Sequence, residues 1–98
     1  MQIFRNYNIN TNIYTKSQFV RVVTNCNGYM ATNIGDTIVT VNDMILYPGT
    51  PGTIIGDSRS VGGNEGEIYT GVIKISFSVP LGVLPQVEIV QKYYTDPV

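Results

Sequence analysis

The chain is expected to be all-β: an antiparallel β-sandwich of jelly-roll or immunoglobulin-like type, with a small β-barrel as the alternative. Composition is the first reason, because 43% hydrophobic residues with seven Tyr and many Val, Ile and Thr is the profile of strands. Periodicity is the second: no segment carries a clean helical repeat over about ten residues or more. Turn signals are the third, recurring at the spacing of about 8 to 12 residues that sandwiches use. A length of 98 residues fits one domain spanning 1–98 and leaves no room for a second.

Residues 2–14 place Ile3, Tyr7, Ile9 and Ile13 at odd positions and Asn6, Asn8, Asn10 and Asn12 at even ones, the period of a half-buried strand or of two short ones. The Asn row reads as a solvated face, with amide pairing to a neighbouring subunit as the other reading. Residues 17–24 form a second strand, with Phe19, Val20, Val22 and Val23 apolar and Arg21 pointing outward. Asn25 to Gly28 supplies turn chemistry, since Asn and Gly tolerate positive φ.

Residues 36–49 give the most specific local signal. Two apolar runs, Thr37 to Val41 and Met44 to Tyr47, flank Asn42-Asp43, which predicts a tight hairpin with both turn residues at positive φ in a type I′ turn. Pro48-Gly49 ends the hairpin, 50–52 is a corner with Pro51-Gly52, and 53–55 is a short strand. The glycine-rich stretch 56–66 is the longest irregular segment. Residues 67–79 form a long strand with Tyr69, Ile73, Ile75, Phe77 and Val79 on one face and Gly71 as a bulge. A proline-bounded connection follows at 80–85, anchored by Leu81 and Leu84, then a last strand at 86–94 and a frayed or docked tail at 95–98. Seven or eight short strands that each bury one face are accommodated by two packed sheets. The paired cysteines and tryptophan of immunoglobulin domains are absent.

Several function classes are excluded by what the chain lacks. With no histidine, the Ser-His-Asp and Cys-His constellations and the usual zinc and iron ligand sets are gone together. Glu65 and Glu67 are the only close carboxylate pair, but they lie about 7 Å apart in extended chain, within a glycine-rich segment without an aromatic sugar platform. No catalytic residue and no cofactor is therefore assigned, and the chain is read as a non-enzyme. Asp57, Glu65 and Glu67 are the weak candidates for a calcium site, against the plain reading of a solvated loop without metal. Gly62-Gly63-Asn64-Glu65-Gly66 lacks the lysine and helix of a phosphate cradle.

A net charge of -1 without a basic cluster argues against nucleic acid as a partner. No apolar run reaches the length of a membrane span, and residues 1–12 lack the basic start and apolar run of a signal peptide, so synthesis in the cytoplasm is expected. Cys26, the single cysteine, is read as a packing residue. Charged residues make up only 13% of the chain, so much of its surface is either covered or merely polar.

The run from Thr37 to Gly49, followed by Gly63-Asn64-Glu65-Gly66-Glu67 and the apolar segment 72–77, resembles small structural proteins of tailed or icosahedral bacteriophages. In these, a hairpin ending in Leu-x-Pro-Gly and a later Gly-Asn-x-Gly-Glu element recur in compact β-sandwiches. The resemblance covers the central and C-terminal half and rests on turn motifs; the Asn-rich N-terminal strand has no counterpart in it. It implies a virion component, such as a capsid decoration, minor capsid or tail-associated protein, made in the host cytoplasm. Such a protein works as a homo-oligomer docked on other virion structural proteins, and Tyr47, Tyr69, Tyr93 and Tyr94 are the interface candidates, the last two because adjacent strand residues point to opposite faces. The alternative is a carbohydrate or cell-surface recognition module using the 56–66 loop and neighbouring tyrosines, so a glycan remains a partner to test.

Overall fold

The computed structural model describes residues 6–49, 55–78 and 84–95. Its eight strands are β1 (Tyr7–Tyr14), β2 (Gln18–Arg21), β3 (Cys26–Asn33), β4 (Val39–Val41), β5 (Met44–Leu46), β6 (Ser58–Gly62), β7 (Val72–Phe77) and β8 (Val87–Tyr94). They form two four-stranded sheets, in the order β1-β8-β3-β6 and β2-β7-β4-β5. Every pairing is antiparallel. Partners nest around the middle of the chain: β4 with β5, β3 with β6, β2 with β7, and β1 with β8. One long folded hairpin has thus been rolled so that successive pairs alternate between sheets, which is the jelly roll and not the immunoglobulin arrangement. Among the described residues no helix is long and apolar enough to cross a membrane.

The core lies between the centres of the two sheets. Tyr29, Ala31, Val87 and Ile89 point inward from the first sheet and meet Val39, Val41, Leu46, Ile73 and Ile75 from the second. These alternate with outward residues along β4, β7 and β8, as the two-residue repeat requires. Each fully buried Leu or Ile contributes about 1.5–3 kcal/mol. Gln91 is buried in the same inner row of β8, and its Oε1 accepts the Val23 amide at 2.9 Å.

The hairpin apex differs from the expected type I′ turn in one respect. Asn42 takes φ 53, but Asp43 does not adopt positive φ, which is the sign pattern of a II′ turn. The reason is that Asn42 is held by the neighbouring strand. Its amide donates to the Lys74 carbonyl at 2.8 Å, its Oδ1 accepts the Lys74 amide at 3.0 Å, and its Nδ2 donates to the Tyr29 hydroxyl at 2.6 Å. Asn42 therefore extends the β4–β7 ladder by one side chain.

Tyr29 is buried beside Tyr69, the rings meeting edge to face at 5.4 Å. Burial, reinforced by the Tyr69 phenol, pushes the Tyr29 hydroxyl up to about 12 despite the Asn42 hydrogen bond, while an unfolded tyrosine ionises near 10. Below pH 10 both states hold the proton; from 10 to 12 the unfolded chain releases it and the folded chain does not, so stability falls as pH rises through that window. Urea melts at stepped alkaline pH should show this fall. Tyr29→Phe should make it shallower, leaving a remainder from Tyr14, whose phenol burial also raises.

Two strands stand where turn or loop was expected. Asn25, at φ 61, does turn the chain, but Cys26–Asn33 is the long strand β3, and β6 occupies the middle of the glycine-rich 56–66 segment. Residues 67–70 precede β7 instead of belonging to it, with Gly71 at φ 122 just before the strand begins. Of the apolar residues in β2 only Val20 points inward, and Phe19 joins Arg21 outside. The two-residue period of β1 holds, but its apolar row is not buried. Ile9 and Ile13 pair with Lys92 and Glu88 on the outer face of the sheet and remain 59% and 54% exposed. The Asn row is turned inward, opposite Ile89 and Gln91, yet overhangs the rim, so neither face of β1 is covered. The expected start of the first strand at 2–5, the corner at 50–52, most of the strand at 53–55, residues 79–83 with Leu81, and the tail at 96–98 lie outside the described residues.

Candidate assembly surface

Four strands border the sheets, and they differ in how they are guarded. A free edge offers unpaired N–H and C=O groups to any extended chain, and proteins block this with charge, proline, twist or shortness. β2 has four residues and ends in Arg21; β5 has three and is followed by Tyr47-Pro48. β6 carries Arg59 and ends at Gly62 and Gly63, both at positive φ, which bend the edge away. β1 has none of these devices. Its eight residues, Tyr-Asn-Ile-Asn-Thr-Asn-Ile-Tyr, contain no charge, no proline and no glycine, and they pair with β8 in unbroken register.

Beside that edge, the outer face of the first sheet carries an exposed apolar row flanked by Glu88 and Lys92. Tyr7, Ile9 and Ile13 of β1 continue into Val90 of β8 and Met30 of β3, with Tyr7, Ile9, Ile13 and Met30 all exposed. Over Gly28 the face sinks into a depression of about 220 Å³ bordered by Ile9, Met30, Val90 and Lys92. The Lys92 ammonium lies 4.2 Å from the centre of the Tyr7 ring and covers one end of the row.

Of the interface candidates, Tyr47 is exposed at 54%, the next residue after β5. The other three are engaged within the chain. Tyr69 is half-buried against Tyr29, and Tyr93 is half-buried opposite Cys26. Tyr94 corrects the expectation of an exposed pair: it is buried, and its hydroxyl accepts the Asn27 Nδ2 at 3.1 Å and the Gly66 amide at 2.9 Å. One of two adjacent strand residues must leave the core, but here it is covered by the chain's own 63–67 loop. Asn27 holds that loop further by donating to the Asn64 and Glu67 carbonyls.

The carboxylates do not converge. Glu67 accepts the Asn64 amide within its own turn, while Asp57 accepts the Tyr47 amide at the other end of β6, roughly 17 Å along the strand. Among the described residues no group of three His, Cys, Asp or Glu side chains could hold a metal ion. Cys26 is fully buried, donates weakly to the Gly28 carbonyl at 3.4 Å, and has its thiol pushed up by burial, as suits a packing residue. A groove of about 460 Å³ runs between residues 21–25 and 68–72, and the one aromatic ring in its lining is Tyr69.

Comparison with protein-family models, curated proteins and solved structures finds no match to the chain. The function must therefore be argued from the chain's own surface. What sequence reasoning missed in that surface is Ile9, Ile13 and Met30, and the signal that marks the first two is the absence of any charged residue between Tyr7 and Tyr14.

Proposed function

We propose that this chain is a non-enzymatic structural subunit of a virion that works by associating with copies of itself and docking on other virion proteins. The observation that carries the reading is the unguarded β1 edge beside an exposed apolar face. A polypeptide that functioned alone would be selected to blunt such an edge, whereas a subunit uses it. The jelly roll adds direction as an analogy, since capsid and lectin domains both use it, and fold alone assigns no function. The glycan-recognition alternative draws on the groove at 21–25 and 68–72, where the one aromatic ring, Tyr69, is half-buried and in edge-to-face contact with Tyr29.

Light scattering tests the association directly. At micromolar concentration the chain should elute with a mass that is a multiple of 10.8 kDa. A strict monomer at that concentration would overturn the reading.

A further inference from the structure

We propose that β1 pairs antiparallel with β1 of a second copy across a twofold axis at Thr11, joining the β1-β8-β3-β6 sheets of the two copies into one continuous sheet. This rests on the subunit reading above and names the surface and the symmetry that it uses.

The main-chain geometry selects the residues. Thr95 donates its amide to the Asn6 carbonyl at 3.0 Å, which extends the β1–β8 register by one pair and makes Asn6 and Thr95 a hydrogen-bonded pair. In an antiparallel ladder such pairs alternate. The even residues of β1 are therefore committed to β8, and Tyr7, Ile9, Thr11 and Ile13 point their N–H and C=O groups out of the free edge. Among the described residues no strand lies beyond it.

The side chains select a second copy as the occupant. Residues 9–13 read Ile-Asn-Thr-Asn-Ile, a palindrome about Thr11. With Thr11 opposite its own copy, Ile9 meets Ile13 and Asn10 meets Asn12, so apolar faces apolar on the outer side and amide faces amide on the inner side. Odd residues meet only odd residues, so both protomers keep their outer faces on the same side of the joined sheet. An isologous contact sets the strand against its own copy, so any net charge it carried would face the same charge; this strand has none. The Asn12 side-chain amide donates to the Asn10 Oδ1 at 2.7 Å within one chain, so amide donors and acceptors lie side by side on the row that would meet its copy. Pairing over residues 9–13 forms about six main-chain hydrogen bonds.

Thr11→Pro is the discriminating variant. Its N–H points away from β8, so proline removes no bond inside the protomer but blocks the pairing between copies. The variant should keep its strand signature in circular dichroism while its mass by light scattering falls about twofold or more. Thr11→Cys should form a disulfide-linked pair under mild oxidation, because directly opposed Cα atoms lie about 5.5 Å apart. Ser60→Cys on the β6 edge should not, and buried Cys26 leaves the parent chain as a clean control. If Thr11→Pro misfolds, Ile9→Lys combined with Ile13→Lys takes its place, since both side chains are exposed and would oppose charge to charge. A native oligomeric mass in these variants, or an oligomer in which Thr11→Cys fails to cross-link, overturns the twofold while leaving the subunit reading intact. A monomeric parent chain overturns both.

Discussion

Asn33→Leu should cost about 3–6 kcal/mol and abolish cooperative unfolding at room temperature, read by urea or thermal melts of the variant against the parent chain. The side chain is fully buried at the end of β3 and makes three bonds to main chain. Its Nδ2 donates to the Thr37 carbonyl at 2.8 Å and to the Leu46 carbonyl at 3.0 Å, and its Oδ1 accepts the Gly35 amide at 3.0 Å. It thereby ties the β3–β4 connection and the end of β5 to the first sheet. Leucine fills similar volume but withdraws a hydrogen-bond partner from three main-chain groups, at about 1–3 kcal/mol for each one left unsatisfied. Asn33→Asp is the sharper comparison, because it preserves the shape and the acceptor and sets a buried carboxyl oxygen against the Thr37 and Leu46 carbonyls where the donors were. If the Asn33→Asp chain were as stable as the parent, packing and not hydrogen bonding would be what holds this corner.

Gly28→Val should be nearly as damaging, at about 3 kcal/mol or above, with Gly28→Ala somewhat milder. The backbones of β3 and β6 approach closely where Gly28 faces Gly62. A Cβ on Gly28 would collide with the Val61 carbonyl oxygen and come within 2.7 Å of the Gly63 nitrogen. Both are main-chain atoms, one in β6 and one just after it and bonded to the Asn27 carbonyl, so neither can rotate out of the way. β6 must move, and the Asn27 bonds to the 63–67 loop move with it. Thermal denaturation should reveal the loss, and a Gly28→Ala chain as stable as the parent would show that β6 docks more loosely than this geometry implies.

These two positions also explain what the sequence conceals. The hairpin at 36–49, the apolar rows of β7 and β8 and the two-sheet architecture are readable, because period and turn residues agree there. β3 is not, since Asn27, Gly28 and Asn33 carry turn-like chemistry at the two ends of a central strand. Their strand conformation is imposed by tertiary partners: buried amides bracing loops, and a glycine admitting a neighbouring backbone. β6 is hidden for a related reason, being built of Ser, Arg and Gly that pair with β3 through main chain. The β1 pattern yields the correct period and the wrong side, because alternation states which residues share a face and not which face is covered. The tyrosines mislead in the opposite sense: Tyr94 stands where a strand residue must leave the core, and only the path of the 63–67 loop shows that it is covered.

The nested pairing of the strands also sets an order in time. β4 and β5 close across two residues, Asn42 and Asp43, whereas each later pair must bring together ends separated by all the chain already folded within it. Loop-closure entropy rises with that length, and the outermost pair, β1 with β8, spans nearly the whole chain. The roll is therefore cheapest to assemble from the middle outward, with β1 arriving last and leaving first. A strand that takes its extended shape only on docking against β8 is not displayed by a half-folded chain. An edge placed at the end of this sequence is presented only once the rest of the molecule is complete, so the pairing proposed above would wait until the chain has finished folding.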